Sequence, residues 1–147
     1  MSSEIGKIRE LAEQYKDWTA KALSRIIKVP AMSNKEKDRI MLLKTMCEEI
    51  GFDEVKIDGL GNLLARVGNG PKKLVIDAHI DTVGIGDPAQ WKRDPFYGDI
   101  EGGLVYGRGT RDQTGGGAVM LAAGKIIQEV GGKGILRRWV ACHNMTE

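Results

Sequence analysis

The stretch LVIDAHIDTVGIGDPAQWKRDPFYGDIEGGLVYGRGTRDQTGGG, residues 74–117, constrains the fold of this chain more than any other. It opens on Leu74-Val75-Ile76, a short apolar run rich in β-branched residues, which predicts a buried strand. It closes on a glycine-rich segment followed by an apolar-periodic run, which predicts a turn and then a helix. A strand, a connection and a helix in that order point to an α/β sheet, where ligand-binding residues gather at the carboxyl ends of strands. His79 and Asp81 fall at that end. Residues two apart on an extended chain point the same way, so the imidazole and the carboxylate are expected on one face.

A second carboxylate, Asp112, follows His79 by thirty-three residues inside GRGTRDQTGGG. Gly107 and Gly109 allow the backbone a tight path there. Thr114 is predicted to cap the helix that follows. A neutral imidazole is a good zinc ligand, and a carboxylate beside it can fix its tautomer. A carboxylate ahead of a helix can bridge two metals about 3.5–4 Å apart, the spacing of two-metal hydrolases. A lone His-x-Asp is usually an ordinary surface or core pair; the strand-end position and the glycine-bracketed Asp112 make this one a candidate metal site.

Gly84 to Ala89 also fits G-x-G-x-x-A after a strand, a dinucleotide fingerprint. That fingerprint needs a long helix opening at its third small residue. Pro95 and Gly98 leave no room for one, so the match is set aside. Trp91, Pro95 and Phe96 are expected to anchor the same connection.

The 147 residues suffice for one domain with a core, and 41% hydrophobic with 29% charged residues is ordinary for a globular chain. The net charge is +2, from 22 basic and 20 acidic residues. Lys72-Lys73 and Arg137-Arg138 are pairs rather than a basic stripe, so nucleic acid is not a predicted partner. No apolar run is long enough for a membrane span, and no apolar h-region follows the first Met. Cys47 and Cys142 lack metal spacing and read as reduced thiols of a cytoplasmic protein.

Ile5, Ile8, Leu11, Tyr15, Trp18, Ala22 and Ile26 recur at helical spacing, which predicts one amphipathic helix over Ser3–Lys28, ended by Pro30. Ser33 and Glu36 form a predicted capping box for a second helix running to Ile50. Ile40, Leu43, Cys47 and Ile50 face inward on it, and Gly51 stops it. Residues 54–57 and 62–67 read as strands joined by a turn at Gly59-Leu60-Gly61-Asn62. Residues 99–106 read as a hairpin, and Thr114 to Val130 as a helix with Val119, Ala122, Ile126 and Val130 on one face.

HIDTV, then WKRDPF, then GGLVYGRGTRDQTGGGA, resemble the M20 metallopeptidase and deacylase family, which includes acetylornithine deacetylase and succinyl-diaminopimelate desuccinylase. The resemblance covers about residues 17–130, and TRDQTGGG looks closest to its selenium metabolism-linked hydrolase subgroup. It implies a three-layer α/β/α zinc-peptidase-like sandwich with a mixed sheet, truncated and lacking the dimerisation or lid domain. It also implies two zinc ions per complete site, with cobalt as a substitute. His79 would bind one metal, Asp112 would bridge both, and Asp81 would orient His79 as a catalytic-site residue without ligating. The substrates implied are small peptides or N-acyl amino acids, and a homodimer is implied only where the further domain is present.

Residues 1–132 are thus assigned to the N-terminal part of the catalytic domain and residues 133–147 to a divergent tail. The family's next strand ends in a Glu pair that supplies the general base; here the chain reads GILRRWVACHNMTE and stops. Arg137-Arg138 suits the centre of a buried strand poorly. Cys142 and His143 would point to opposite faces. Glu147 is a weak candidate for the missing acid. A frameshift near Gly132 or Gly134 would explain the change. The expectation is a metal-dependent amide hydrolase present as an incomplete fragment, or else an inactive remnant with half a metal site.

Overall fold

A computed structural model describes residues 2–71, 73–131 and 139–142, with Ser2, Ser3 and the last four by backbone alone. Four helices, α1 (Ser2–Gln14), α2 (Lys16–Ile27), α3 (Lys37–Ile50) and α4 (Thr114–Glu129), accompany six strands. These are β1 (Glu54–Ile57), β2 (Leu63–Arg66), β3 (Ile76–His79), β4 (Ile100–Glu101), β5 (Leu104–Val105) and β6 (Trp139–Cys142). The main sheet has the order β1-β2-β6-β3, and β4-β5 form a separate hairpin. β6 pairs antiparallel with β2 and parallel with β3, so the sheet is mixed, as the sequence pattern implied.

The single N-terminal helix expected over Ser3–Lys28 is two. Tyr15 leaves helical geometry at φ −85° and ψ 1° between α1 and α2. Hydrogen bonds nonetheless cross the junction, from Tyr15 N–H to Leu11 O at 2.9 Å and from Thr19 N–H to Tyr15 O at 2.8 Å. The Tyr15 ring packs edge-on against Trp18, and its hydroxyl donates to Glu129 at the far end of α4. The break falls at a residue that contacts both its own helix and the far end of α4, and periodicity alone does not register it. Leu11 is buried, whereas Ile5 and Ile8 of the same stripe are exposed.

The capping box expected at the start of α3 does not form. The cap residue is Glu36, with no side-chain cap bond. Its carboxylate instead accepts from Asn34 N–H at 2.7 Å, and the Ser33 hydroxyl is used elsewhere. At the other end Gly51 takes φ 83°, and its N–H reaches Glu48 O at 3.0 Å, the stop the sequence predicted. Thr114 likewise does not cap α4; Gln113 holds that position at φ 56°. The buried face of α4 runs through Ala118, Leu121, Ala122 and Ile126, while Val119, expected on it, is exposed.

The strand expected from Leu74 begins two residues later. Leu74 and Val75 are 49% and 53% exposed, and the described pairs with β6 run from Ile76 opposite Trp139. Ala22 and Ile26 of α2, Ile40, Leu43 and Cys47 of α3, and Ala118 and Leu121 of α4 share one core with Leu63, Ala65 and Ala78 of the sheet. Of the tail, residues 139–142 form β6, and Cys142 lies opposite His79 in its register. Arg137-Arg138, His143 and Glu147 lie outside the described residues. Among the described residues no helix is long and apolar enough to cross a membrane.

Candidate metal centre

The sheet brings the three sequence-selected residues together around one imidazole. His79 ends β3, and its Nδ1 lies 3.1 Å from Asp81 Oδ1. Its Nε2 lies 3.3 Å from Asp112 Oδ1. The ring thus faces one carboxylate through each nitrogen. The Asp81 side chain is 17% exposed and that of Asp112 is 72% exposed, so one carboxylate belongs to the protein wall and the other to solvent.

Asp112 reaches this place through a turn that only glycine can build at two points. Gly109 has φ +85°, and a Cβ there would sit 2.5 Å from Thr82 Cγ2 and 3.0 Å from Thr114 Oγ1. A Cβ at Gly115 would meet the Thr110 carbonyl oxygen at 2.4 Å. The close approach of this turn to the strand end explains the glycines that frame Asp112. Thr114 N–H closes the turn onto Asp112 O at 2.8 Å.

A layer beneath the ring escaped the sequence. Ser33, expected to cap α3, donates its hydroxyl to Asp81 Oδ2 at 2.5 Å. The loop before it runs beside the strand end: Thr82 N–H donates to Ala31 O at 2.7 Å, and Met32 and Thr82 form a parallel bridge. Arg39 is fully buried and donates to Val29 O at 2.8 Å and to Ile80 O at 2.6 Å, with Thr114 Oγ1 at 3.4 Å. One guanidinium therefore ties the α2–α3 loop, the residue between His79 and Asp81, and the first residue of α4. Burial pulls its pKa down to about 10, against the opposing pull of the nearby Asp81 carboxylate. The only trace of Arg39 in the sequence is its place beside Ile40 on the inward stripe.

The connection after β3 is an anchor, as expected. Residues 88–90 form one short 3-10 turn, capped by Asp87 accepting from Ala89 N–H at 2.9 Å, so the dinucleotide motif has no helix to open. Trp91 Nε1 donates to Ile85 O at 2.7 Å, and the Arg108 guanidinium lies over the Trp91 ring at 5.9 Å. Pro95 O accepts from Arg108 N–H at 2.7 Å.

His79 Nε2 and Asp112 are donors of the kind zinc takes, and they converge. They are two, whereas a catalytic zinc has three protein ligands and water. Among the described residues no group of three or more His, Cys, Asp or Glu side chains is placed to hold a metal ion. The described residues therefore fit half of such a site.

Residues 75–136 match the sequence signature described as peptidase family M20/M25/M40. The chain is 44% identical over 124 residues to the uncharacterized protein YgeY of Escherichia coli strain K12, covering 84% of this chain and 31% of YgeY. It is 36% identical over 109 residues to a succinyl-diaminopimelate desuccinylase of Cereibacter sphaeroides, covering 71% of this chain and 29% of the relative. The fold is that of the dipeptidase Dug1p from Saccharomyces cerevisiae, with TM-score 0.78 and 20% identity over 98% of this chain and 35% of that one. It is likewise that of an M20 family metallo-carboxypeptidase from Sulfolobus solfataricus, with TM-score 0.70 and 23% identity over 84% of this chain and 30% of that one. The chain thus spans about a third of the length of the proteins it matches. With the signature lying across the strand end and turn that bring His79, Asp81 and Asp112 together, the chain belongs to the M20/M25/M40 peptidase family.

Proposed function

We propose that this chain carries the first half of the metal centre of an amide hydrolase, a peptidase or a deacylase of N-acyl amino acids. The observation that carries the proposal is the imidazole of His79 held between Asp81 on Nδ1 and Asp112 on Nε2. A ring fixed on one nitrogen presents the other as a metal ligand. His79 and Asp112 would hold zinc, or cobalt in its place, and Asp81 would orient the imidazole. The metal would polarise the amide carbonyl and lower the pKa of its bound water. The metallo-carboxypeptidase and desuccinylase names among the similar proteins support this chemistry.

The same donor count, made among the described residues, supports a second reading, that this half-site by itself holds zinc weakly and gives no metal-dependent turnover. On this reading residues 1–132 belong to the catalytic domain and residues 133–147 are a divergent tail. Glu147 remains the candidate acid there, and a dimer requires the further domain. Two widely separated cysteines, one buried as a free thiol, suit a reducing cytoplasm.

The test is zinc stoichiometry and affinity of the purified chain by chelator competition, with dipeptides and N-acyl amino acids as substrates. One weakly held zinc per chain is expected, lost in His79→Ala, with no metal-dependent turnover. Equal binding by the wild type and His79→Ala would remove the metal assignment. Two tightly held zincs with steady turnover would remove the half-site.

A further inference from the structure

A neutral imidazole carries one N–H, and only the other nitrogen has a lone pair for a metal. In this chain both nitrogens of His79 face carboxylates, Asp81 at 3.1 Å and Asp112 at 3.3 Å. The proton therefore has two places to go. On Nε2 it would bond to Asp112 and block the side facing the proposed metal; on Nδ1 it bonds to Asp81 and leaves that side open.

The balance rests on how firmly Asp81 is aimed. The terminal torsion of an aspartate is broad, so a carboxylate held by one contact turns easily. Asp81 is held at both oxygens: Oδ1 faces His79, and Oδ2 accepts the Ser33 hydroxyl at 2.5 Å. Ser33 in turn sits on a loop tied to the strand end. Met32 bridges Thr82, Ala31 O accepts from Thr82 N–H, and the fully buried Arg39 grips Val29 O and Ile80 O. The Asp112 side chain, by contrast, is 72% exposed.

We propose that Ser33 is a positioning residue for His79: by fixing the Asp81 carboxylate it keeps the imidazole proton on Nδ1 and the Nε2 lone pair directed toward Asp112. The proposal rests on the metal assignment for its purpose, though not for its geometry. No proton is gained or lost; only its place on the ring is chosen.

The experiment follows the ring nitrogens of the metal-free, ¹⁵N-labelled full chain by long-range proton–nitrogen NMR, in alkaline buffer that keeps imidazole neutral. His79 signals are assigned by their loss in His79→Gln. In the wild type the Nδ1–H form is expected to dominate. In Ser33→Ala, a change on an exposed loop, the two forms are expected to approach equal populations, and Ser33→Thr, which keeps the hydroxyl, is expected to restore the wild-type pattern. Zinc affinity, read in parallel, is expected to fall about 10-fold in Ser33→Ala. A wild-type nitrogen pattern in Ser33→Ala overturns the proposal whatever the metal does. Nitrogen shifts that follow the hydroxyl, in a chain whose wild type takes up no zinc, would uphold the positioning role and overturn the metal assignment.

Discussion

His79 stands between two carboxylates of unequal exposure, and the inequality separates their roles. On the proposed function, Asp81, nearly enclosed, would act through the ring, and Asp112, largely in solvent, would meet a metal at the ring's other nitrogen. Asp81→Ala is therefore expected to weaken zinc binding about 10–100-fold without abolishing it, the usual effect of removing a residue behind a ligand. Chelator competition against His79→Ala, expected to show no specific binding, checks this. The turn glycines give a second contrast. Gly109→Ala combines positive φ with a clash against Thr82 and Thr114, whereas Gly51→Ala has positive φ alone with nothing within 4 Å. The first is expected to cost about 2–3 kcal/mol and the second about 1 kcal/mol, read from urea midpoints.

At the scale of elements, helices and strands with local signals were legible and their long-range assignments were not. Gly51 ends α3 because a left-handed residue closes the last turn, a rule contained in one residue. Ser33 satisfies the same kind of rule on paper, yet its hydroxyl goes to Asp81, forty-eight positions away. A capping bond contributes only about 1 kcal/mol, so a competing charge-assisted bond decides such a choice. Cys47, expected on the inward face of α3, is buried there, and burial raises its thiol pKa from 9.0 to about 12. The unfolded thiol ionises first, so its neutral form contributes stability that is complete below pH 9 and lost as pH rises toward about 12. Stability is expected to fall by about 1 kcal/mol per pH unit in that window. The slope should flatten in Cys47→Ala, which subtracts the lysines titrating over the same range; denaturant midpoints at pH steps measure both.

At the scale of the molecule, β3 is the last strand in the sheet order among the described residues, and Leu74 and Val75 lie exposed just ahead of it. An exposed apolar edge invites strand addition from a second chain. Concentration-dependent association is expected and should diminish in Val75→Lys, as sedimentation velocity would show. The strand, turn and helix order, the apolar stripes and the His79–Asp81–Asp112 spacing were determined by the sequence itself. Each is a periodicity or a glycine requirement that the chain satisfies over a few residues. The bend at Tyr15, the start of β3 at Ile76, the displaced caps and the Arg39–Ser33 layer were decided only by the tertiary structure. The displaced cap of α3 and the Arg39–Ser33 layer depend on partners far along the chain, Asp81 for Ser33 and Ile80 for Arg39. Folding brings such partners within bonding distance, and no local pattern encodes that proximity.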